Sequence, residues 1–267
     1  MNSKFFRYTL GFTLLGLIIF AFYSSKIALL IMSILMIIIT MIEYRNMFKE
    51  KNIFPIKLIP EITGIFFAYI FVISHDLMLH QIITPIFVGA TIITFIATII
   101  GNKKPYLLTS LSTIIAFIFI FLGLYIIKLT YFFNDLNAWY TIVIYFLAVL
   151  FGDFFASKIG PKFTKQLSSE ISPNKTISGA ITNLIVTCIV CLSFKFFLNY
   201  SILNCLILGI IISIFSQFGD LTLSMFKRDL GLKHSGNLFL DYGGILDRMD
   251  AFLFSAPAAY YFLYLIS

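Results

Sequence analysis

Long apolar runs recur from one end of the chain to the other, and they constrain its fold more than any other feature. Each run holds about 20 residues, enough for a helix to cross the roughly 30 Å of hydrocarbon in a bilayer. Charged residues make up 12% of the 267-residue chain, whereas a soluble domain has about twice that share. The sequence therefore predicts an all-α, polytopic integral membrane protein without a separate soluble domain.

Nine runs qualify as predicted membrane spans. They cover about residues 7–24, 27–43, 61–77, 82–101, 106–127, 138–158, 176–197, 201–228 and 246–266. We treat residues 1–267 as one membrane domain, with N-terminal helices in 1–137 and catalytic helices and loops in 138–267. The first run follows Lys4 and Arg7 as in a secretion signal, but no small-residue cleavage site follows it, so we expect a retained helix.

Basic residues are distributed unevenly between the two sides of these spans. When the nine spans alternate through the membrane, all of the 19 lysines and arginines except Lys26, Lys128 and Lys195 fall on the side of the N-terminus. Positive residues accumulate in cytoplasmic loops. The bias predicts that the N-terminus and the loops after spans 2, 4, 6 and 8 lie at the cytoplasmic face of a bacterial-type inner or plasma membrane, where lysine and arginine attract anionic lipids.

The end of the eighth span carries a polar stripe. Its members recur at helical spacing and share one face: Gln217, Asp220, Ser224, Lys227 and Arg228. A carboxylate close to the hydrocarbon is costly, and it indicates a functional site by default.

The ninth span opens with a second acidic group. Asp247 and Asp250 are three residues apart and therefore face one side, with Arg248 between them. The pair Gly243–Gly244 precedes them, and backbone N–H groups at a helix start can receive phosphate oxygens. Carboxylates suit Mg²⁺ and basic side chains suit phosphate, so the combination indicates a site for a metal ion and a polyphosphate.

A second loop, "ISPNKTISG", lies on the same predicted side just before the seventh span. Ser172 or Thr176 could cap that helix, and Lys175 could meet a phosphate. Asp153, at the end of the sixth span, is a further acid near the membrane. Together these groups favour phosphoryl or nucleotidyl transfer, in which a cation held by two carboxylates and nearby bases neutralises charge on phosphorus. A metal site at "HDLMLH" (residues 75–80), on the opposite face, lacks a third ligand and is disfavoured.

Several motifs in residues 153–257 resemble the phosphatidate cytidylyltransferases, also called CDP-diacylglycerol synthases. "SMFKRDLGLKHSGN…GGILDRMD" is similar to their C-terminal signature, and "GDLTLS" and "ISPNKTISG" are similar to two upstream elements. "DFFASKIGPKFTKQL" is weakly similar to a third. The N-terminal half is similar only in its hydropathy.

This resemblance implies a reaction in which the phosphate of phosphatidic acid attacks the α-phosphorus of CTP, giving CDP-diacylglycerol and pyrophosphate. It implies Mg²⁺, with a monovalent cation such as K⁺ sometimes beside it. It also implies three groups of site residues. The metal-binding acids are Asp220 and Asp247; the catalytic residues are Lys227, Arg228, Arg248 and Asp250; the substrate-binding residues are Ser172, Lys175, Thr176, Ser224, Asn237, Gly243 and Gly244.

The chain departs from the family pattern mainly in the loop. His234 stands where the family has an acid, and "LDYGG" (residues 240–244) replaces its Pro-Gly-His-Gly-Gly. The metal-binding acids and phosphate-binding bases are retained. The changes bear on nucleotide recognition, rate or metal preference, and Asp241 adds negative charge near an anionic substrate.

Two other functions are weighed against this one. A CTP-dependent kinase of polyprenol-type membrane lipids would use similar residues. An ion-coupled transporter would have matching broken helices in both halves, but the polar residues cluster in the last 120. We expect membrane lipids and CTP as partners and no nucleic acid, and a homodimer is a candidate assembly.

Overall fold

The computed structural model consists almost entirely of helices. It describes residues 13, 16–17, 20–21, 24–49, 51–73, 78–131, 135–160, 166–168, 171–198, 200–236, 238 and 243–266. The helices are α1 (Lys26–Lys49), α2 (Ile59–Ile73), α3 (Met78–Ile100), α4 (Tyr106–Tyr131), α5 (Asp135–Ile159), α6 (Ile177–Cys191), α7 (Phe194–Leu198), α8 (Ile202–Asp229) and α9 (Leu246–Ile266). Seven helical segments of this described part, with α6 and α7 counted together, are long and apolar enough to cross a membrane.

The predicted all-α membrane fold is confirmed, and the helices refine the predicted spans. Every predicted span after the first coincides with a helix, although α2 is short at 15 residues. The span predicted at 176–197 contains a break at Leu192–Ser193, which separates α6 from α7. The first predicted span, 7–24, lies largely outside the described residues, so the count of nine stays a prediction, as does the division at residue 137.

A small β-hairpin interrupts the helices between α5 and α6. Strand β1 (Gln166–Ser168) pairs antiparallel with β2 (Ser172–Thr176). Thr176 ends β2 and caps α6, because its Oγ1 accepts a hydrogen bond from the N–H of Gly179 at 3.1 Å. The sequence offered Ser172 or Thr176 as the cap, and the structure assigns that role to Thr176.

The two helices that carry the predicted acids pack directly against each other. Gly219 of α8 lies against the backbone of Asp250 in α9, where a methyl group would overlap the Asp250 carbonyl oxygen. The chain leaves α8 through Gly231 (φ +77°), with hydrogen bonds from Leu232 N to Lys227 O at 2.7 Å and from Gly231 N to Arg228 O at 2.9 Å. This is a glycine-terminated helix end of the Schellman type. It turns the following loop back toward the start of α9.

Three neighbouring side chains near the end of α1 each contact a different helix. Glu43 reaches the first turn of α9. The Tyr44 hydroxyl donates to the Ser112 carbonyl of α4 at 2.8 Å, and Arg45 forms an ion pair with Glu61 of α2. The N-terminal helices are therefore joined to the helix that carries Asp247 and Asp250.

Candidate active site

Two ion pairs join the segments in which the sequence predicted a site. Lys175, at the end of the hairpin, pairs with Asp220 of α8. Lys227 of α8 pairs with Asp247 of α9, with its Nζ 2.6 Å from Oδ1. Both pairs, together with Asp250, form what we call the acid–base cluster. It draws on three elements that are distant in sequence.

Asp247 is held from several directions. In addition to Lys227, its Oδ2 accepts hydrogen bonds from the backbone N–H of Ser235 at 2.8 Å and of Gly244 at 3.2 Å. The residue is buried, at 9% exposure. The carboxylate therefore has one fixed orientation at the start of α9.

His234 lies next to this carboxylate, with Nδ1 3.9 Å from Asp247 Oδ2. Burial lowers the pKa of His234, and the negative charge of Asp247 opposes that effect. The departure from the family pattern therefore places an imidazole with a lowered pKa beside a predicted metal ligand.

Asp250 is buried one helical turn after Asp247, at 8% exposure. The charges of Asp220, Lys227, Asp247 and Lys175 all act on its carboxyl group. Asp220 and Asp247 therefore lie close enough to Asp250 for their charges to act on it.

Steric crowding explains why glycine occupies both positions 243 and 244, just before α9. Gly243 has φ +86°, a conformation that other residues rarely adopt, and a side chain there would overlap the Asp247 carboxylate. Gly244 leaves room for Glu43, whose carboxylate a methyl group would overlap. The sequence predicted that N–H groups of this turn bind phosphate. The N–H groups of Gly244, Ile245 and Leu246 instead donate to the carboxylates of Asp247 and Glu43.

Sequence reasoning missed Glu43. It is buried, at 6% exposure, and it accepts hydrogen bonds from Ile245 N at Oε1 and from Leu246 N at Oε2, both at 2.9 Å. A signal was present, because Glu43 closes an apolar run and acids in such runs are functional candidates. Its partners are backbone N–H groups about 200 residues away, which the sequence pattern does not reveal.

Arg228 and Arg248 occupy different surroundings. Arg228 is exposed, and it donates from Nε to the Ile171 carbonyl and from a terminal nitrogen to the Leu232 carbonyl, both at 3.3 Å. It thus links the end of α8 to the hairpin. Arg248 is half-buried in the first turn of α9, and its charge acts on His234. Phosphate binding by either arginine remains a prediction.

The remaining predicted substrate residues lie around the cluster or beyond the described chain. Ser172 is on β2 and Ser224 is on α8, and both are half-buried. Asn237 and Asp241 lie outside the described residues, as do residues 75–77 of the "HDLMLH" segment. Substrate contacts by this group stay predictions.

Asp153 and Gln217 belong to a separate polar network inside the bundle. Asn183 donates to Asp153 Oδ1 at 3.0 Å and accepts from Ser213 Oγ at 2.7 Å. Gln217 donates to the same Ser213 hydroxyl at 3.0 Å. The polar stripe predicted on α8 is thus divided. Gln217 belongs to this network toward α6, whereas Asp220 and Lys227 belong to the acid–base cluster.

The carboxylates of the acid–base cluster suit Mg²⁺, but they do not form a complete coordination shell by themselves. Among the described residues, no three side chains of His, Cys, Asp or Glu converge into a ready-made metal site. Mg²⁺ is commonly bound by one or two carboxylates, with substrate phosphates and waters as the other ligands. Asp220 and Asp247 fit that mode of binding, in which the substrate completes the site.

The chain is similar in sequence to known proteins. The sequence pattern of the cytidylyltransferase family matches residues 5–266. A phosphatidate cytidylyltransferase of Synechocystis sp. is 37% identical over 126 residues, which are 46% of this chain and 43% of that protein. One from Staphylococcus haemolyticus is 51% identical over 89 residues, 33% of this chain and 34% of that protein.

A plant protein is also similar. Phosphatidate cytidylyltransferase 5, chloroplastic, of Arabidopsis thaliana is 38% identical over 124 residues, 46% of this chain and 31% of that protein. The chain thus spans less than half the length of each of these curated relatives. The family match, in contrast, extends over nearly the whole chain and confirms the resemblance that the C-terminal motifs predicted. The chain belongs to the cytidylyltransferase family.

Proposed function

We propose that the protein is a phosphatidate cytidylyltransferase, which transfers the cytidylyl group of CTP to phosphatidic acid. A phosphate oxygen of phosphatidic acid forms a bond to the α-phosphorus of CTP, and the bond from that phosphorus to the β-phosphate oxygen breaks. CDP-diacylglycerol and pyrophosphate are the products. The acid–base cluster carries the proposal, because it combines buried carboxylates with two lysines where α8, α9 and the hairpin meet.

Each side chain of the acid–base cluster has a proposed role that follows from its charge. We assign Asp220 and Asp247 to Mg²⁺, which when bound would neutralise charge on phosphate oxygens. Lys175 and Lys227 lie beside these acids and would contact phosphate oxygens directly. Asp250, one helical turn after Asp247, would support the metal site or orient Arg248. A monovalent cation such as K⁺ is a further candidate ligand.

An apolar cavity that α9 helps to line is a candidate site for the acyl chain of a lipid substrate. It lies between α1, α4 and α9, and nearly all of its lining is apolar. Leu246 and Met249 line it, and they are the sequence neighbours of Asp247 and Asp250. An acyl chain in this cavity would place the lipid phosphate near the carboxylates.

The proposed site faces the cytoplasm, where CTP is available. The bias of the basic residues supports this orientation. The integral membrane location itself follows from the seven long apolar helices. Homodimer formation and the expected lack of a nucleic-acid partner remain predictions.

The products distinguish this function from that of a lipid kinase. Purified protein in detergent with phosphatidic acid and CTP labelled at the α-phosphate should give labelled CDP-diacylglycerol and unlabelled pyrophosphate, only when both substrates are present. A polyprenol-type lipid kinase would instead give labelled CDP and a lipid phosphate from a lipid alcohol. Absence of labelled lipid would refute the proposal.

A further inference from the structure

The residues just before α9 supply no capping side chain for its first turn. A helix start usually takes its cap from a Ser, Thr, Asp or Asn just before the first turn. Here Gly244 and Ile245 precede α9, and neither has a side-chain oxygen. The cap comes instead from Glu43 of α1, which accepts from Ile245 N and Leu246 N with one oxygen each.

Glu43 and Asp247 share the capping of this turn. Glu43 takes the N–H groups of residues 245 and 246, while Asp247 takes that of Gly244. The carboxylate of Asp247 therefore has its orientation fixed by a backbone turn that Glu43 holds in place. A shift of the turn would move Asp247 relative to Lys227 and Asp220.

The surroundings of Glu43 are built closely around it. A Cβ at Gly236 would lie 3.0 Å from Glu43 Cγ, and one at Gly244 would overlap the carboxylate. Tyr44 and Arg45 fasten the adjacent backbone to α4 and α2. The carboxylate thus reaches α9 from a fixed base, so it can restrict the turn.

We propose that Glu43 is a positioning residue for Asp247. By capping the first turn of α9 from α1, it sets the direction in which Asp247 faces the acid–base cluster, and so couples the N-terminal helices to metal binding. The effect of Glu43 on activity rests on the proposed function. Its effect on the structure of residues 244–247 does not, and it can be measured separately.

Glu43→Gln tests the proposal, since glutamine has nearly the same volume as glutamate. Its amide NH₂ cannot accept a hydrogen bond, so one of the two backbone N–H groups loses its acceptor. We expect kcat to fall by about ten- to a hundredfold, the scale of loss when a catalytic group is displaced by about 1 Å. We also expect half-maximal activity to need more Mg²⁺, with the KM for CTP changed much less. Asp229→Asn is the control, since it removes a carboxylate at an exposed position at the end of α8 and should leave kcat and the Mg²⁺ dependence unchanged.

A second measurement is independent of catalysis. Hydrogen exchange of residues 244–250, followed by mass spectrometry without substrates, should be faster in Glu43→Gln than in the wild type. Mg²⁺ alone should protect this segment in the wild type and do so less in the variant. These two results support the positioning role even when no CDP-diacylglycerol forms, whereas failure of the proposed function would appear as inactivity of the wild type.

Other outcomes overturn the proposal. Unchanged kcat per folded molecule and unchanged Mg²⁺ dependence would leave Glu43 as a helix cap only, even if exchange were faster. If Glu43→Gln does not fold, Gly244→Ala provides the same test, since its methyl group displaces the Glu43 carboxylate. The proposal would then be overturned if Mg²⁺ protected residues 244–250 of the Gly244→Ala variant from hydrogen exchange as strongly as it does in the wild type.

Discussion

At the scale of single residues, two of the three carboxylates in the acid–base cluster each have a lysine partner. Asp220 pairs with Lys175 and Asp247 with Lys227. The Asp247–Lys227 pair is buried, which strengthens its attraction relative to water. The sequence predicted these four residues because charges are rare in an apolar chain. It could not predict which acid pairs with which base, since that depends on how α8 and α9 pack.

Lys227→Ala tests the residue closest to Asp247. We expect kcat to fall at least about tenfold, since a cation that contacts the reacting phosphates typically contributes more than about 1.4 kcal/mol to the transition state. The measurement is CDP-diacylglycerol formation per folded molecule. Lys233→Ala, at an exposed position in the same stretch, is the control. Activity of the Lys227 variant equal to that of this control would contradict the assignment.

At the scale of elements, the site depends on the close packing of α8 against α9. Gly219 permits the contact and Gly231 ends α8, so the intervening loop can return to Asp247. Hydropathy predicted both helices with nearly correct bounds. It could not predict the hairpin or the break between α6 and α7, because short strands and local breaks leave no signal in an average over about 20 apolar residues.

Gly219→Ala should separate these two helices. Its methyl group would overlap the Asp250 carbonyl oxygen, so we expect a lower melting temperature in detergent and lower activity. Gly89→Ala in α3 is a matched control, because a methyl group there meets no neighbouring atom within 4 Å. Equal melting temperatures for the two variants would show that the α8–α9 contact tolerates the added group.

At the scale of the whole molecule, the fold joins an N-terminal set of helices to a C-terminal set that holds the acid–base cluster. Composition and periodicity were enough to predict the membrane class, and the C-terminal motifs were enough to predict the family. The sequence marks Glu43 as an acid at the end of an apolar run, but its contact with α9 was not predictable, because its partners are backbone N–H groups about 200 residues away.

The predicted membrane orientation can be tested with single cysteines in a chain without Cys188, Cys191 and Cys205. Lys195→Cys, exposed between α6 and α8, should react with an impermeant maleimide on intact cells. Lys233→Cys, beside the acid–base cluster, should react only after the membrane is permeabilised. The reverse pattern would place the proposed site on the outer face.

The most direct test of the account is the Mg²⁺ dependence of cytidylyl transfer by Asp247→Asn. The amide keeps the size of the side chain but removes the charge that the account assigns to the metal and to Lys227. Asp229→Asn, at an exposed position at the end of α8, is the matched control. The account predicts a folded Asp247→Asn protein without Mg²⁺-dependent formation of CDP-diacylglycerol, beside an active Asp229→Asn protein. Near-normal, Mg²⁺-dependent turnover by Asp247→Asn would contradict it.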